Sequence, residues 1–279
     1  MMRGICRRVV KALRQKELIP VMKTVASGTA LDGKCVLVTG ASGGIGIAVC
    51  ESLFRSWGGV NVVMSGTNEQ KLAECKNTLE SRFPGRCAIL PMNMENITSF
   101  DEKIEAAVSI FGRIDILVHC AGVHTANVDF WTMTEKEFDR VTDINLKGSY
   151  FICQSVARYF MRYGIRGKMV LISSSRGSEP AWSPYGISKC AMDGMVKGLA
   201  KLFMQHGITV NAVAPGPTAT PLLGYEKGGG IFSEENAAGR LVMPEEVANV
   251  VSLLAGDAGC MISGEVIHIS AGRGVFDIR

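Results

Sequence analysis

No stretch of the chain strings together the ~18 apolar residues that a membrane-crossing helix requires, which excludes an integral helical membrane protein. Paired cysteines are missing as well: the nine stand singly at 6, 35, 50, 75, 87, 120, 153, 190 and 260, with no Cys-x-x-Cys. An odd count without zinc-like spacing or an apolar leader points to a reducing, cytoplasmic setting, with most thiols acting as small core residues. Charge of one sign is also scarce, with 30 Lys and Arg against 26 Asp and Glu. Seven of the bases (Arg3, Arg7, Arg8, Lys11, Arg14, Lys16, Lys23) fall in residues 1–31 beside one acid, Glu17, so the rest carries 23 bases and 25 acids. A body so near neutrality has no electrostatic means of gripping a nucleic-acid backbone. Internal repeats and interdomain linkers are absent too. Disorder is excluded, because 47% of the 279 residues are hydrophobic and only 20% are charged.

What remains is an alternation of apolar runs and amphipathic stretches, the pattern of βαβ units around a parallel sheet. Strands are expected near 34–39, 60–65, 86–91, 114–120, 168–174, 208–213 and 264–269. Runs such as Cys35-Val-Leu-Val-Thr39 are apolar without alternation, as strands buried on both faces should be. Helices are expected near 45–57, 68–82, 96–111, 134–163, 184–206 and 244–255, the last opened by Pro244-Glu245-Glu246. The prediction is one doubly wound α/β domain over 32–279 with a seven-stranded parallel sheet. Residues 1–31 form a basic extension whose Ile5, Val9, Val10 and Leu13 share a helical face. That face suits packing on the body or on a second subunit, and its basic flanks leave membrane-surface attachment and a targeting role open. Residues 217–243, with Gly228-Gly229-Gly230, show no periodicity and are expected to form a lid or binding loop.

Directly after the first strand comes Thr39-Gly-Ala-Ser-Gly-Gly-Ile-Gly46, leading into a helix. Gly40 permits a tight turn, Gly44 a close backbone approach to a pyrophosphate, and Gly46 tight helix–sheet packing. The helix N-terminus offers unpaired N–H groups to phosphates. At the end of the second strand, where a carboxylate would bind the 2′-hydroxyl of NAD, stand Ser65, Gly66, Thr67 and Asn68, with Lys71 further on. The missing acid favours NADP(H) over NAD(H).

Tyr185 and Lys189 are four residues apart and so share a helical face. A fixed cation near a phenol favours the phenolate and makes it a usable acid or base for a carbonyl/alcohol pair. Upstream, Ser173-Ser174-Ser175 closes a strand at the sheet's carboxyl edge, where a hydroxyl can donate to an oxygen gathering charge. Asn145 is polar in an otherwise apolar helical stretch and could hold a proton-carrying water.

Together, TGASGGIG (39–46), Cys120-Ala121-Gly122, Asn145, the serine strand, YGISK (185–189) and Pro215-Gly-Pro-Thr-Ala-Thr220 resemble the short-chain dehydrogenase/reductase family over residues 31–273. The likeness is to its compact branch of 3-oxoacyl-carrier reductases and hydroxysteroid dehydrogenases. The resemblance implies a Rossmann fold and a homotetramer or homodimer. It implies an NAD(P)-dependent oxidoreductase moving hydride between nicotinamide and a small ketone or secondary alcohol. Tyr185 would then be proton donor and acceptor, and Lys189 would bind the nicotinamide ribose and lower the tyrosine pKa. Asn145 would anchor a relay water, and Ser174 would orient the carbonyl, with Ser173 and Ser175 as alternatives. Nucleotide contacts are implied for Gly40, Ser42, Gly44, Ile45, Gly46, Thr67, Asn93, Met94, Cys120, Ala121, Gly122, Tyr185, Lys189, Pro215, Gly216, Thr218 and Thr220. His119 stands where the family has an asparagine and is expected to be a hydrogen-bonding strand residue. Arginine is absent from both common NADP positions, here Gly43 and Thr67. Candidate substrate contacts are His124, Arg176, Glu179, Trp182 and the 217–243 loop, and no metal site is expected. The rival reading is a catalytically silent dinucleotide-binding regulator, against which the intact Ser–Tyr–Lys–Asn set argues.

Overall fold

The computed structural model describes residues 31–126, 128–226 and 229–276; the basic extension and Gly228 lie outside the described residues. Seven strands, β1 (Cys35–Thr39), β2 (Asn61–Gly66), β3 (Cys87–Pro91), β4 (Ile116–His119), β5 (Lys168–Ile172), β6 (Thr209–Pro215) and β7 (Val266–Ile269), form one sheet. Its order is β3-β2-β1-β4-β5-β6-β7 and every pairing is parallel. The apolar runs are the reason: β1, β4 and β6 are buried along their whole length, so each strand needs a helical layer on both faces.

Those layers come from α1 (Gly44–Ser56), α2 (Glu69–Glu80), α3 (Phe100–Phe111), α4 (Glu135–Thr142), α5 (Ser149–Tyr163), α6 (Pro184–Phe203) and α7 (Pro244–Ala255). One core cluster lies under α1 and α7, with Val36, Val38, Leu53, Val62 and Val251. The other lies under α3, α5 and α6, with Leu37, Phe100, Ile104, Phe160 and Val196. Val36 and Leu37 alternate between the two, as successive strand residues must. Helix starts follow local chemistry. The Asn68, Thr134 and Ser183 side chains each accept a first-turn N–H, and the Glu246 carboxylate takes the Met243 N–H at 2.8 Å ahead of Pro244.

Two expectations are corrected. The helix anticipated over 134–163 is interrupted by a π-helical segment, Asp143–Gly148. The Ser149 hydroxyl donates to the Asn145 carbonyl at 2.5 Å, and the Asn145 amide is tied to the main chain at Val123, so side chains take over bonds from the helical ladder. The segment 217–243 is not structureless. It carries a 3₁₀ turn, Pro221–Leu223, and Thr218 bridges Val242 so that the loop's ends are tied.

The sheet reverses its winding between β1 and β4, and the loops after these two strands meet there. A Cβ on Gly40 (φ +64°) would lie 2.7 Å from the Ala121 nitrogen, so only glycine admits the contact. A crevice opens at this point along the strands' carboxyl ends, as the topology requires.

Candidate active site

Three adjoining cavities follow that crevice. The first, about 440 Å³, is lined by Gly40, Ser42, Ser65, Gly66, Thr67, Asn93, Met94, Ala121 and Gly122. The second, about 100 Å³, is lined by Ile45, Cys120, Gly122, Lys189, Pro215, Gly216, Thr218 and Thr220, and by Ser174 and Tyr185. The third, about 170 Å³, shares His124, Ser174, Tyr185, Gly216 and Leu223 with the second and adds Ser175, Arg176, Glu235 and Arg273. Residues scattered from 40 to 273 in the chain are thus gathered into one cleft.

Of the turn glycines, Gly44 and Gly46 line none of these cavities. A Cβ on Gly46 would sit 2.2 Å from the Gly40 carbonyl oxygen, and one on Gly44 would sit 2.5 Å from Thr220 Cγ2. Gly46 therefore lets the first turn of α1 lie against the turn after β1, while Gly44 admits the 217–243 loop. The chain fits a dinucleotide in two further respects. The first turn of α1 carries no acid, which leaves its positive end to phosphates. The Ser65 hydroxyl is buried without a partner at the wall of the largest of these three cavities, an arrangement that suits a ligand polar group.

Tyr185 sits in the first turn of α6, fixed by the Ser183 cap and Pro184. Lys189 follows one turn later, buried, with its ammonium donating to the Ile172 carbonyl at 2.7 Å and lying 5.8 Å from the Tyr185 ring centroid. Burial lowers the Lys189 pKa to about 8, with Asp193 pulling it the other way. Burial likewise raises the Tyr185 pKa above its ordinary 10.0, and a hydrogen bond to Ser174 and the Arg176 charge only partly offset this. Desolvation of the phenol, and not the depression expected from Lys189, therefore sets the direction of the shift.

Ser174 is the serine at the tyrosine. Its Oγ accepts the Arg176 N–H at 3.2 Å, which leaves its own hydrogen to donate. Ser173 is committed to the Asp193 carboxylate, whereas Ser175 lines only the outer cavity. The Asn145 amide accepts the Val123 N–H at 2.8 Å and donates to the Val123 carbonyl at 2.9 Å and to Ser188 at 3.3 Å. A Cβ on Gly122 would stand 3.3 Å from Asn145 Oδ1 and 3.7 Å from Lys189 Nζ, so both side chains face one glycine.

Behind Asn145 runs a buried chain of hydrogen bonds. The Ser149 hydroxyl spends its hydrogen on the Asn145 carbonyl, so at 2.8 Å from His119 Nε2 it must accept. His119 is then the Nε2–H tautomer, and its Nδ1 accepts the Thr39 hydroxyl at 2.7 Å. Burial lowers its pKa to about 3, with Lys189 adding to the effect. His119 is thus a neutral strap between β1, β4 and the π segment, as its strand position suggested.

Among the anticipated substrate contacts, His124 stacks on the Tyr185 ring with centroids 4.0 Å apart. Arg176 lines the outer cavity, and Glu179 pairs with both Arg176 and Arg273. Trp182 lines none of the three cavities and is 51% exposed. Ser65, singled out in the sequence for its place at a strand end, does line the largest of the three cavities, and Glu235 comes from the anticipated 217–243 loop without having been picked out in it. Sequence reading missed Arg273, which is brought in by the chain after β7 and has no signal. Among the described residues no cluster of His, Cys, Asp or Glu is arranged to hold a metal.

Residues 34–227 match the short chain dehydrogenase family. The chain is 36% identical over 248 residues to the 3-oxoacyl-[acyl-carrier-protein] reductase of Rickettsia felis, covering 87% of this chain and 97% of that one. It is 34% identical over 246 residues to the reductase of the same name from Thermotoga maritima, covering 87% and 98%. Among solved structures, the 3-ketoacyl-(acyl-carrier-protein) reductase of Brucella melitensis complexed with NADH superposes with a TM-score of 0.79 at 25% identity, covering 88% and 99%. The cleft is therefore that of an oxidoreductase acting on a carbonyl or alcohol carbon, and the chain belongs to the short-chain dehydrogenase/reductase family.

Proposed function

We propose that the protein reduces a ketone with NADPH by a Ser–Tyr–Lys–Asn mechanism. The observation that carries this reading is the meeting of Ser174 and Tyr185 at the boundary between the two smaller cavities, with Lys189 lining the inner one. Bound in the crevice, a reduced nicotinamide dinucleotide supplies the hydride. Gly40, Ser42 and Thr67 would hold its adenosine and phosphate end, with Asn93 and Met94 against the base. Ile45, Cys120, Gly122, Thr218 and Thr220 would hold its other end. The Ser174 hydroxyl, already oriented by the Arg176 N–H, donates to the substrate oxygen as negative charge gathers there. Tyr185, kept protonated at neutral pH by burial, gives its proton to that oxygen. The Lys189 ammonium steadies the phenolate left behind, and a water held near Asn145 returns the proton from solvent.

Preference for NADPH is supported by the end of β2, where Ser65, Gly66 and Thr67 offer donors and the strand itself ends without a carboxylate; the one acid lining this cavity, Glu95, follows β3. The relatives' names make a 3-oxo compound the natural first substrate to try. Self-association as a homotetramer or homodimer belongs to the same reading. Met192, Val196 and Ala200 of α6 are spent on the core, so support comes instead from exposed Phe130, Trp131 and Tyr150. Cytoplasmic residence is the setting that fits free thiols and this cofactor.

The test is absorbance at the nicotinamide band with NADPH or NADH and a panel of ketones. NADPH consumption with at least one ketone is expected, with NADH slower. Tight dinucleotide binding without consumption would favour the silent regulator, and equal rates would end the claim of preference.

A further inference from the structure

The outer cavity, beyond Ser174 and Tyr185, holds a guanidinium that the mechanism leaves unused. Arg273 is brought there by the turn after β7, and its side chain is only 12% exposed. A buried cation needs anionic partners, and it has two. Glu179, itself 18% exposed, takes the Nε edge at 2.7 Å and a longer contact of 3.5 Å from the adjacent nitrogen. The remaining nitrogen meets Glu235, which differs in kind. Glu235 sits on the 217–243 loop, its side chain is 58% exposed, and Arg273 is the partner its carboxylate has. Arg176 lines the same cavity and also leans on Glu179, at 2.9 Å.

The charges decide the reading. With Glu235 in place, two guanidinium groups face two carboxylates and the cavity is neutral. With Glu235 swung into solvent, one positive charge is left over beside the reacting carbonyl's seat, in a walled space of about 170 Å³ where Coulombic attraction is strong. Glu179 cannot leave so cheaply, because its side chain is only 18% exposed and it holds both arginines. Burial thus separates a fixed counter-ion from an exchangeable one.

Resting on the carbonyl-reductase reading, we propose that the substrate is a ketone carrying a carboxylate or another small anionic group, and that Arg273 receives this group in place of Glu235. Arg273 is then the residue that sets specificity, and Glu235 is a stand-in that keeps the site balanced until substrate arrives. Exchange of one carboxylate for another at the same fork preserves the charge-assisted hydrogen bonds on Arg273. The stretch itself stays held by the Ala237 N–H on the Ala271 carbonyl and by the Thr218–Val242 bridge, so the exchange needs only the Glu235 side chain to move.

The experiment is calorimetry on the full chain with 3-oxobutanoate and its methyl ester, which differ in one charge. Binding is read with oxidised dinucleotide, so that no turnover intervenes, and again without it. The oxo acid is expected to bind about tenfold more tightly than the ester, the scale of one charged hydrogen bond. Glu235→Gln, a change on an exposed side chain, should widen that ratio about a further tenfold, and Arg273→Met should bring it close to one. A ratio near one in both the natural chain and Glu235→Gln would overturn the proposal. So would a Glu235→Gln variant that weakens acid and ester alike, since that is the behaviour of a structural latch. Failure of the reductase reading looks different: the natural chain would consume no NADPH with any ketone of the panel, whatever the ratio between the two ligands.

Discussion

Acidification should act on this protein through His119. In the fold the imidazole is fully buried, accepts from Thr39, donates to Ser149 and has its pKa lowered to about 3 from 6.5. The unfolded chain takes up a proton on this residue as pH falls below 6.5, while the native state refuses it until about 3. A depressed native pKa means that stability is fully present above 6.5 and is lost as pH falls through the window down to about 3. At about 1.4 kcal/mol per pH unit, the whole window is worth roughly 5 kcal/mol, and about 2 kcal/mol is gone by pH ~5. The perturbation is His119→Gln, which removes the titration while keeping a polar amide. Denaturant unfolding of both chains at a fixed protein concentration, from about pH 7.5 down to about pH 5, reads the difference. The variant should start less stable by about 1–3 kcal/mol, through the disturbed hydrogen bonds, and the gap should narrow by about 2 kcal/mol at the acid end. Carboxylates with lowered pKa values, such as Glu137 and Glu246, cancel because both chains carry them. Parallel curves, or an imidazole seen by NMR to titrate near its ordinary value, would refute the assignment of a neutral strap.

Two further outcomes follow from the cleft. Gly46→Ala puts a methyl 2.2 Å from the Gly40 carbonyl, so it should cost about 1–3 kcal/mol of stability and more than about tenfold in NADPH affinity by fluorescence titration. Raising pH through about 8 discharges Lys189, so kcat/KM for carbonyl reduction should fall there. Alcohol oxidation, which needs the phenolate of a tyrosine whose pKa burial has raised, should still be climbing at pH values where reduction has begun to fall.

Much of the architecture was legible because the signals are local. Strands buried on both faces read as unbroken apolar runs, and α7 announces itself through Pro244 and two acids. The turn at 40–46 could be read because Gly40 needs a positive φ and a bare Cα at once. The π segment was hidden because it depends on partners far away: Asn145 is tied to Val123, and Ser149 is braced by His119. Pairing of Arg273 with Glu179 and Glu235 was hidden for the same reason, since three loops distant in sequence meet there. Trp182 misled because its position near Tyr185 in the chain says nothing about which way the turn before a helix cap points. The sequence led to the expectation of a lowered tyrosine pKa beside Lys189, whereas burial, a property of the folded cleft alone, raises it.

The central claim is that the Tyr185 phenol hands its proton to the substrate oxygen, and Tyr185→Phe tests it most directly. The variant keeps the ring and its stacking on His124. NADPH should bind it within about twofold of the natural chain, while kcat for ketone reduction falls by about 10²–10⁴. Undiminished turnover with NADPH still bound would contradict the account.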